Sequence, residues 1–372
     1  MDRDPLIKKR SGHGGDVYSD ESEQWLDLSA NINPRAFPER LHQELPKILE
    51  EARAYPDIEY RKLKQDLAAY AGKLGQMSCD PDWIIPGNGA VEILDRAVAA
   101  QERVLIVQPC FSEYELSCIR YGIPYEVLQR EASQEKVLDK VFFERLLRRL
   151  ADKGEERSID LIVLCNPNNP DGKRYDREAF REFLIAIKDG GVRVMVDETF
   201  GEYLEHEEML LPLITDFEEL LVVKALTKFF GLPGVRLGYG ITRSTKWHRE
   251  IERRLTTWNV GSFAQGIARI LLSEGHFIRV SREENRKTRE YLFQSLQASG
   301  LFTRVYPSSA SFIMVYKEDM TKLIHELKNQ GILIRDLANM PGLGEGYARI
   351  AVRDKDHADA LLEALAVIRD TR

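Results

Sequence analysis

Lys224-Ala225-Leu226-Thr227-Lys228-Phe229-Phe230-Gly231-Leu232-Pro233-Gly234-Val235-Arg236-Leu237-Gly238-Tyr239 joins two apolar runs through a turn of glycine and proline. The runs predict strands at Leu220–Lys224 and Val235–Ile241. Continuous rather than alternating apolarity suits strands covered on both faces, as in a mostly parallel α/β sheet. In open sheets of that kind, ligands bind beyond the carboxyl ends of the strands. Lys228 falls there. A lysine held there loses water, its pKa drops, and a neutral amine becomes available for a Schiff base. Thr227 and Arg236 can hold a phosphate beside it, with the guanidinium giving planar, charge-assisted bonds. Most lysines are simply exposed, but the flanking pattern weighs against that reading here.

Outward from this turn the alternation continues. Strand candidates are Trp83–Ile85, Arg103–Val107, Ile159–Cys165 and Val192–Val196, with helices over 90–101, 112–121 and 176–189 between them. Upstream, residues 39–53 and 60–74 have helical periodicity, and the Gly-, Ser-, Asn- and Pro-rich residues 11–38 read as an irregular arm. After residue 244 the pattern shifts to long charged helices, 244–257 and 263–299. Short strands follow at Phe312–Tyr316, Ile332–Arg335 and Ala348–Val352, then a helix over 355–369. The expected fold class is α/β: a large domain over 40–255 with a mostly parallel central sheet, and a smaller α+β domain. The smaller one is discontinuous, from 1–39 and 256–372.

Four further motifs fall at predicted strand ends. In Val196-Asp197-Glu198-Thr199-Phe200, Asp197 closes an apolar strand and can pair with a protonated ring nitrogen, although a turn aspartate is the commoner case. In Cys165-Asn166-Pro167-Asn168-Asn169-Pro170, an asparagine can donate to a phenolate oxygen. Pro86-Gly87-Asn88-Gly89-Ala90-Val91-Glu92 lies between strand and helix, where free amides and the helix dipole favour an anion. Pro109-Cys110-Phe111-Ser112-Glu113-Tyr114 offers an aromatic for a flat ring, though such aromatics are more often core. Each has a bland explanation alone. Together they meet the needs of pyridoxal phosphate: an amine for the imine, a partner for the pyridine nitrogen, a donor to O3′, a phosphate cup and a stacking ring.

Composition narrows the class. The chain has 372 residues, 53 Lys plus Arg against 60 Asp plus Glu, and a formal net charge of −7. That balance argues against a duplex nucleic-acid binder. No apolar run approaches the ~20 residues of a membrane span, and Met1–Pro5 lacks an apolar signal core, so a cytoplasmic location is expected. Cys79, Cys110, Cys118 and Cys165 form no C-x-x-C pair and are read as free thiols, with no metal site. No G-x-G-x-x-G opens the first βα unit, which disfavours a nicotinamide enzyme. The first 40 residues are too Gly/Pro-rich for the DNA-binding segment of a regulator.

On these motifs the sequence resembles the fold-type I, PLP-dependent aminotransferase superfamily over nearly its whole length, within the branch of histidinol-phosphate aminotransferases and threonine-phosphate decarboxylases. The resemblance implies that Lys228 carries the Schiff base, Asp197 binds the pyridine nitrogen, Asn169 reaches O3′ and Phe111 stacks on the ring. Gly89, Ala90, Thr227 and Arg236 would hold the phosphate, joined by Tyr55 of Tyr55-Pro56-Asp57 from the partner of a homodimer. Arg349 would bind the substrate carboxylate; Arg335 and His13, with Asn33 nearby in the arm, would take the substrate phosphate.

His13-Gly14-Gly15, Leu28-Ser29-Ala30-Asn31-Ile32-Asn33-Pro34, Ile334–Leu343 and Phe200 lean toward the decarboxylase side, because many aminotransferases of this superfamily carry tyrosine where Phe200 stands. The implied reaction is decarboxylation of L-threonine O-3-phosphate to aminopropanol phosphate for the cobalamin linker. The alternative is an aminotransferase of the histidinol-phosphate type. Ala225 departs from the family, which usually has Ser or Thr three residues before the lysine. The missing hydroxyl removes a bond worth about 1.5–3 kcal/mol.

Overall fold

Strand ends gather the predicted motifs into one place, in a computed structural model that describes residues 14, 15, 17, 25–130, 135–152 and 158–370. His13 lies outside the described residues. In chain order the strands are β1 (Leu26–Leu28), β2 (Ile84–Gly87), β3 (Val104–Gln108), β4 (Tyr125–Gln129), β5 (Val137–Leu138), β6 (Leu161–Cys165), β7 (Arg174–Tyr175), β8 (Arg193–Asp197), β9 (Leu220–Ala225), β10 (Gly238–Ile241), β11 (Arg304–Val305), β12 (Phe312–Tyr316), β13 (Ile332–Asp336) and β14 (Tyr347–Ala351).

The larger sheet has seven strands in the order β2-β10-β9-β8-β6-β3-β4. Among its pairs only those of β10 are antiparallel, to β2 and to β9. Side chains of β6, β8 and β9 are buried on both faces, which is why these strands read as unbroken apolar runs. Helices Ala90–Val98, Glu113–Tyr121 and Thr245–Glu252 supply the core of one face, including Ile93, Tyr114 and Trp247. Helices Arg61–Gly75, Lys140–Ala151 and Arg177–Ile187 supply the other, including Leu67, Phe143 and Phe180. Local signals agree: Asp176 starts Arg177–Ile187 by accepting from the Ala179 amide at 2.9 Å.

The second sheet has five strands in the order β1-β13-β14-β12-β11, and its own core includes Leu28, Ile313, Leu323, Ile350 and Leu361. β1 is its parallel edge strand, Leu28 opposite Ile334. The arm, read as irregular, thus contains a strand whose three residues are too few for a period-2 signal to register.

Three other expectations shift. The helix expected over 263–299 is two helices, Ser262–Leu271 and Gly275–Ala298. Ser273 ends the first by bonding back from Oγ to the Ile270 carbonyl at 2.7 Å, a local competitor of the helical ladder. The strand expected from Val235 begins only at Gly238, because Arg236 is left-handed with φ 56°. The domain boundary at 255/256 cuts through a core. Ala264, Ile267, Ala268 and Leu271 beyond it pack with Leu41 and Ile48 under the large sheet. The helix Gly275–Ala298 spans both cores, with Phe277 in the first and Leu292 and Leu296 in the second.

Candidate active site

The register of the large sheet sets the site. Cys165 of β6 lies opposite Asp197 of β8, and Asp197 opposite Val223 of β9, so these three strands end side by side. Asn169, Asp197 and Lys228 follow or close those ends. They line one cavity of about 440 Å³ with Ala90, Phe111, Thr227 and Arg236, and with Arg335 and Arg349 from the second sheet.

Asp197 is buried. Its Oδ2 accepts from the Tyr114 hydroxyl at 2.8 Å and its Oδ1 from the Thr199 amide at 2.9 Å. Burial raises its pKa, while the bonds from Thr199 and Tyr114 work against that rise. A buried carboxylate of this kind is poised to pair with a cationic ring nitrogen. Lys228 sits in the turn after β9, its carbonyl held by the Asn33 amide at 3.1 Å. Burial, followed by the nearby Arg349 and Arg236 guanidinium groups, brings its amine down to about 8. At that value a useful fraction is neutral and nucleophilic near neutral pH.

The anion cradle is steric as well as electrostatic. Gly89, with φ +81°, ends in contact with Arg236: a Cβ there would stand 2.5 Å from Nη2. Across the turn, a Cβ on Gly238 would stand 2.3 Å from the Ala90 amide nitrogen. Two missing side chains therefore let the start of helix Ala90–Val98, with its free amides, lie flush against β10 and beside Arg236. Ala225 lines the same cavity and brings no hydroxyl, whereas Thr227 does. Amine, carboxylate, amide, aromatic ring and cradle surround one space, and this donor set fits pyridoxal phosphate.

On the opposite wall Arg349 is buried. Nη1 donates to Asn169 Oδ1, Nη2 donates to the Ser29 carbonyl at 3.3 Å, and the guanidinium carbon lies 5.2 Å from the Phe312 ring centre. Asn31, with its amide oxygen toward the arginine, accepts from Nε at 3.1 Å and Nη2 at 3.3 Å. Burial, then the charge of Arg335, lowers Arg349 to about 9. Arg335 donates to Asn339 Oδ1 at 2.9 Å, and burial lowers its pKa against the pull of Asp336. Phe200 lines the cavity and packs edge-on against Phe312, ring centres 5.1 Å apart.

Two expected residues stand elsewhere. Asn33 lines a different cavity: its Nδ2 donates to the Phe229 carbonyl at 2.7 Å and its Oδ1 accepts from the Arg35 amide at 3.1 Å. Asn33 therefore clamps the lysine turn instead of facing the substrate space. Tyr55 is 81% exposed and stacks on Trp258 with ring centres 4.6 Å apart, away from this chain's own cavity. Two site residues were missed. Tyr114 lies three residues after Phe111, on the first turn of helix Glu113–Tyr121 that the same Pro109–Tyr114 stretch opens. Asn31 stands within Leu28–Pro34, but nothing in its spacing ties it to Arg349, 318 positions later.

Comparison with known proteins gives a consistent neighbourhood. The model of the family described as aminotransferase class I and II matches residues 23–365. The threonine-phosphate decarboxylase of Salmonella typhimurium is 30% identical, over 95% of this chain and 96% of its own length. The histidinol-phosphate aminotransferase of Caldanaerobacter subterraneus is 31% identical, over 92% of each chain. Among solved structures, the histidinol-phosphate aminotransferase of Clostridium acetobutylicum superposes with a TM-score of 0.84 at 27% identity, covering 93% of this chain and 99% of the other.

Proposed function

The chain belongs to the class I and II aminotransferase family and is a pyridoxal-phosphate-dependent enzyme, and from that premise we propose that it decarboxylates L-threonine O-3-phosphate to aminopropanol phosphate. The observation that carries this reading is the pair Arg335 and Arg349 opening onto the cavity of Lys228. A small amino acid with a carboxylate at one end and a phosphate at the other needs two cationic anchors, and guanidinium suits both. The similarity to a threonine-phosphate decarboxylase supports the same substrate. Phe200 adds to it, since it presents a ring without a hydroxyl to the cavity.

The proposed roles use that geometry. Lys228 would hold the cofactor through its amine, Asp197 would face the ring nitrogen, Asn169 the O3′ oxygen and Phe111 the ring. The Gly89–Ala90 turn, Thr227 and Arg236 would hold the phosphate. When bound, pyridoxal phosphate supplies an electron sink for the pair left at the substrate Cα. Arg349 fixes the substrate carboxylate and so decides which Cα bond is presented for cleavage. In the proposed reaction the Cα–carboxylate bond breaks, CO₂ leaves, and Lys228 delivers a proton to Cα. Phe200, backed by Phe312, gives that end of the cavity an apolar wall. Active dimers in the cytoplasm, with Tyr55 serving the partner's phosphate cup, complete the reading.

A transaminase reading rests on a separate observation, the equal likeness to histidinol-phosphate aminotransferases. One experiment separates the two. The loaded enzyme is incubated with L-threonine O-phosphate and no keto acid. Release of CO₂ with aminopropanol phosphate is expected. Accumulation of pyridoxamine phosphate without CO₂ moves the assignment to the transaminase, and neither product sinks both for this substrate.

A further inference from the structure

Beneath Asp197, on the other face of β8 and β9, lies a charged cluster that none of the roles above uses. Lys224, Glu198 and Glu202 are 0%, 0% and 1% exposed. The Lys224 ammonium lies 3.4 Å from Glu202 Oε1, 3.7 Å from Glu198 Oε2 and 3.4 Å from the Glu198 carbonyl. It reaches there over Gly201, where a Cβ would stand 2.8 Å from Nζ. Glu198 Oε1 accepts from the Leu210 amide at 2.7 Å and from Asn166 Nδ2 at 3.1 Å. The Asn166 amide in turn donates to the Asp197 carbonyl at 2.9 Å, and the Glu198 amide to the Val223 carbonyl at 2.8 Å. One buried ammonium thus joins the turn after Asp197, the loop leading to Asn169 and the strand leading to Lys228.

Burying charge is costly, and removing one partner of a buried set costs more than the set contributes. A fold needing only stability would fill this place with apolar side chains. We propose that Lys224, with Glu198 and Glu202, is a positioning unit for Asp197, holding the turn that aims its carboxylate into the cofactor cavity. The unit has two carboxylates for one ammonium. Burial pushes the Glu202 carboxyl up, against the pull of Lys224. The groups facing it are Tyr70 from helix Arg61–Gly75, Tyr239 from β10, Tyr203 from its own turn, and Arg282, which acts on Tyr70 from helix Gly275–Ala298. Tyr70 shares a hydrogen bond with Glu202, while among the described residues the Tyr239 hydroxyl and Glu198 Oε2 are buried without a hydrogen-bond partner.

The inference rests on the assignment of Asp197 to the ring nitrogen, so the test includes Asp197→Asn. Apoprotein is titrated with pyridoxal phosphate, and bound cofactor is read by dialysis and absorbance. Lys224→Met is expected to weaken cofactor binding by about tenfold or more at pH 8. Glu202 is then charged without its ammonium. At pH 6 the gap to the unaltered protein should narrow to roughly threefold, as protonation of Glu202, whose carboxyl burial already pushes up, relieves it. Lys224→Met with Glu202→Gln, which removes one carboxylate along with the ammonium, should recover most of the loss at pH 8.

A folded Lys224→Met that binds cofactor within about threefold at pH 8, or whose loss is equal at both pH values, overturns the proposal. If Asp197→Asn alone leaves affinity and absorbance untouched, the ring-nitrogen assignment falls first and takes the unit's role with it. Should Lys224→Met not fold, Glu202→Gln decides. A raised carboxyl pKa costs stability as pH climbs through its window, so this variant's melting point should gain on the unaltered protein between pH 5 and pH 8. Parallel curves overturn the proposal.

Discussion

The two walls of the cavity are built on different plans. On the cofactor side, Asn169, Asp197 and Lys228 each follow or close one of three adjacent parallel strands, β6, β8 and β9. On the proposed substrate side, Arg349 is held by Ser29, Asn31 and Asn169, so one guanidinium depends on the start, the middle and the end of the chain. The first wall is set by a sheet whose register cannot slip without turning every side chain over. The second is a coincidence of remote segments, and its groups are already bonded to one another. Rigid placement suits a cofactor that stays, and exchangeable bonds suit a substrate that comes and goes.

That contrast predicts an order of effects. Lys228→Ala should abolish turnover by about 10³-fold or more, since both amine and proton carrier go. Retained turnover would remove the lysine from the centre of the first wall. Asp197→Asn should lower kcat by about 10²–10³-fold with the fold intact, which circular dichroism checks. On the other wall, Arg335→Ala and Arg349→Ala should each cost about 1.5–3 kcal/mol, about 10–100-fold, the first mainly in KM. Arg349→Ala should do more. Removing that cation lifts the Lys228 amine above its value of about 8. The rate of cofactor capture by apoprotein, which needs the neutral amine, should then reach its midpoint at higher pH. An unmoved midpoint would show that the walls are electrostatically independent. Smallest is Ala225→Ser, expected to tighten cofactor binding by about 1 kcal/mol, about fivefold, if the restored hydroxyl reaches the phosphate cradle.

The difference between the walls also governs what the sequence discloses. Lys228, Asp197 and the Gly89–Ala90 turn are legible because unbroken apolar runs locate strand ends, and strand ends locate ligands. Tyr114 was within reach, in the same Pro109–Tyr114 stretch as Phe111. Asn31 was not, because its bond to Arg349 spans 318 positions and leaves no period. Asn33 misled for the same reason, its short segment offering two asparagines and no way to tell which faces inward. The domain boundary shifts because helix Ser262–Leu271, read together with the long charged helix after it, carries one charge, Arg269, and buries its apolar face under the large sheet.

The parallel pairing of β1 with β13 gives this architecture a timetable. During synthesis the chain emerges from its N-terminus. Lys228, Asp197 and most of their sheet are therefore outside the ribosome while Ile332–Asp336, the partner of Leu26–Leu28, is still to be made. For more than a hundred residues of translation the first strand waits, and Ser29 and Asn31 wait with it for an arginine not yet joined to the chain. The strand ends that carry Asp197 and Lys228 are thus complete in the chain long before Arg349 can bond to Ser29 and Asn31.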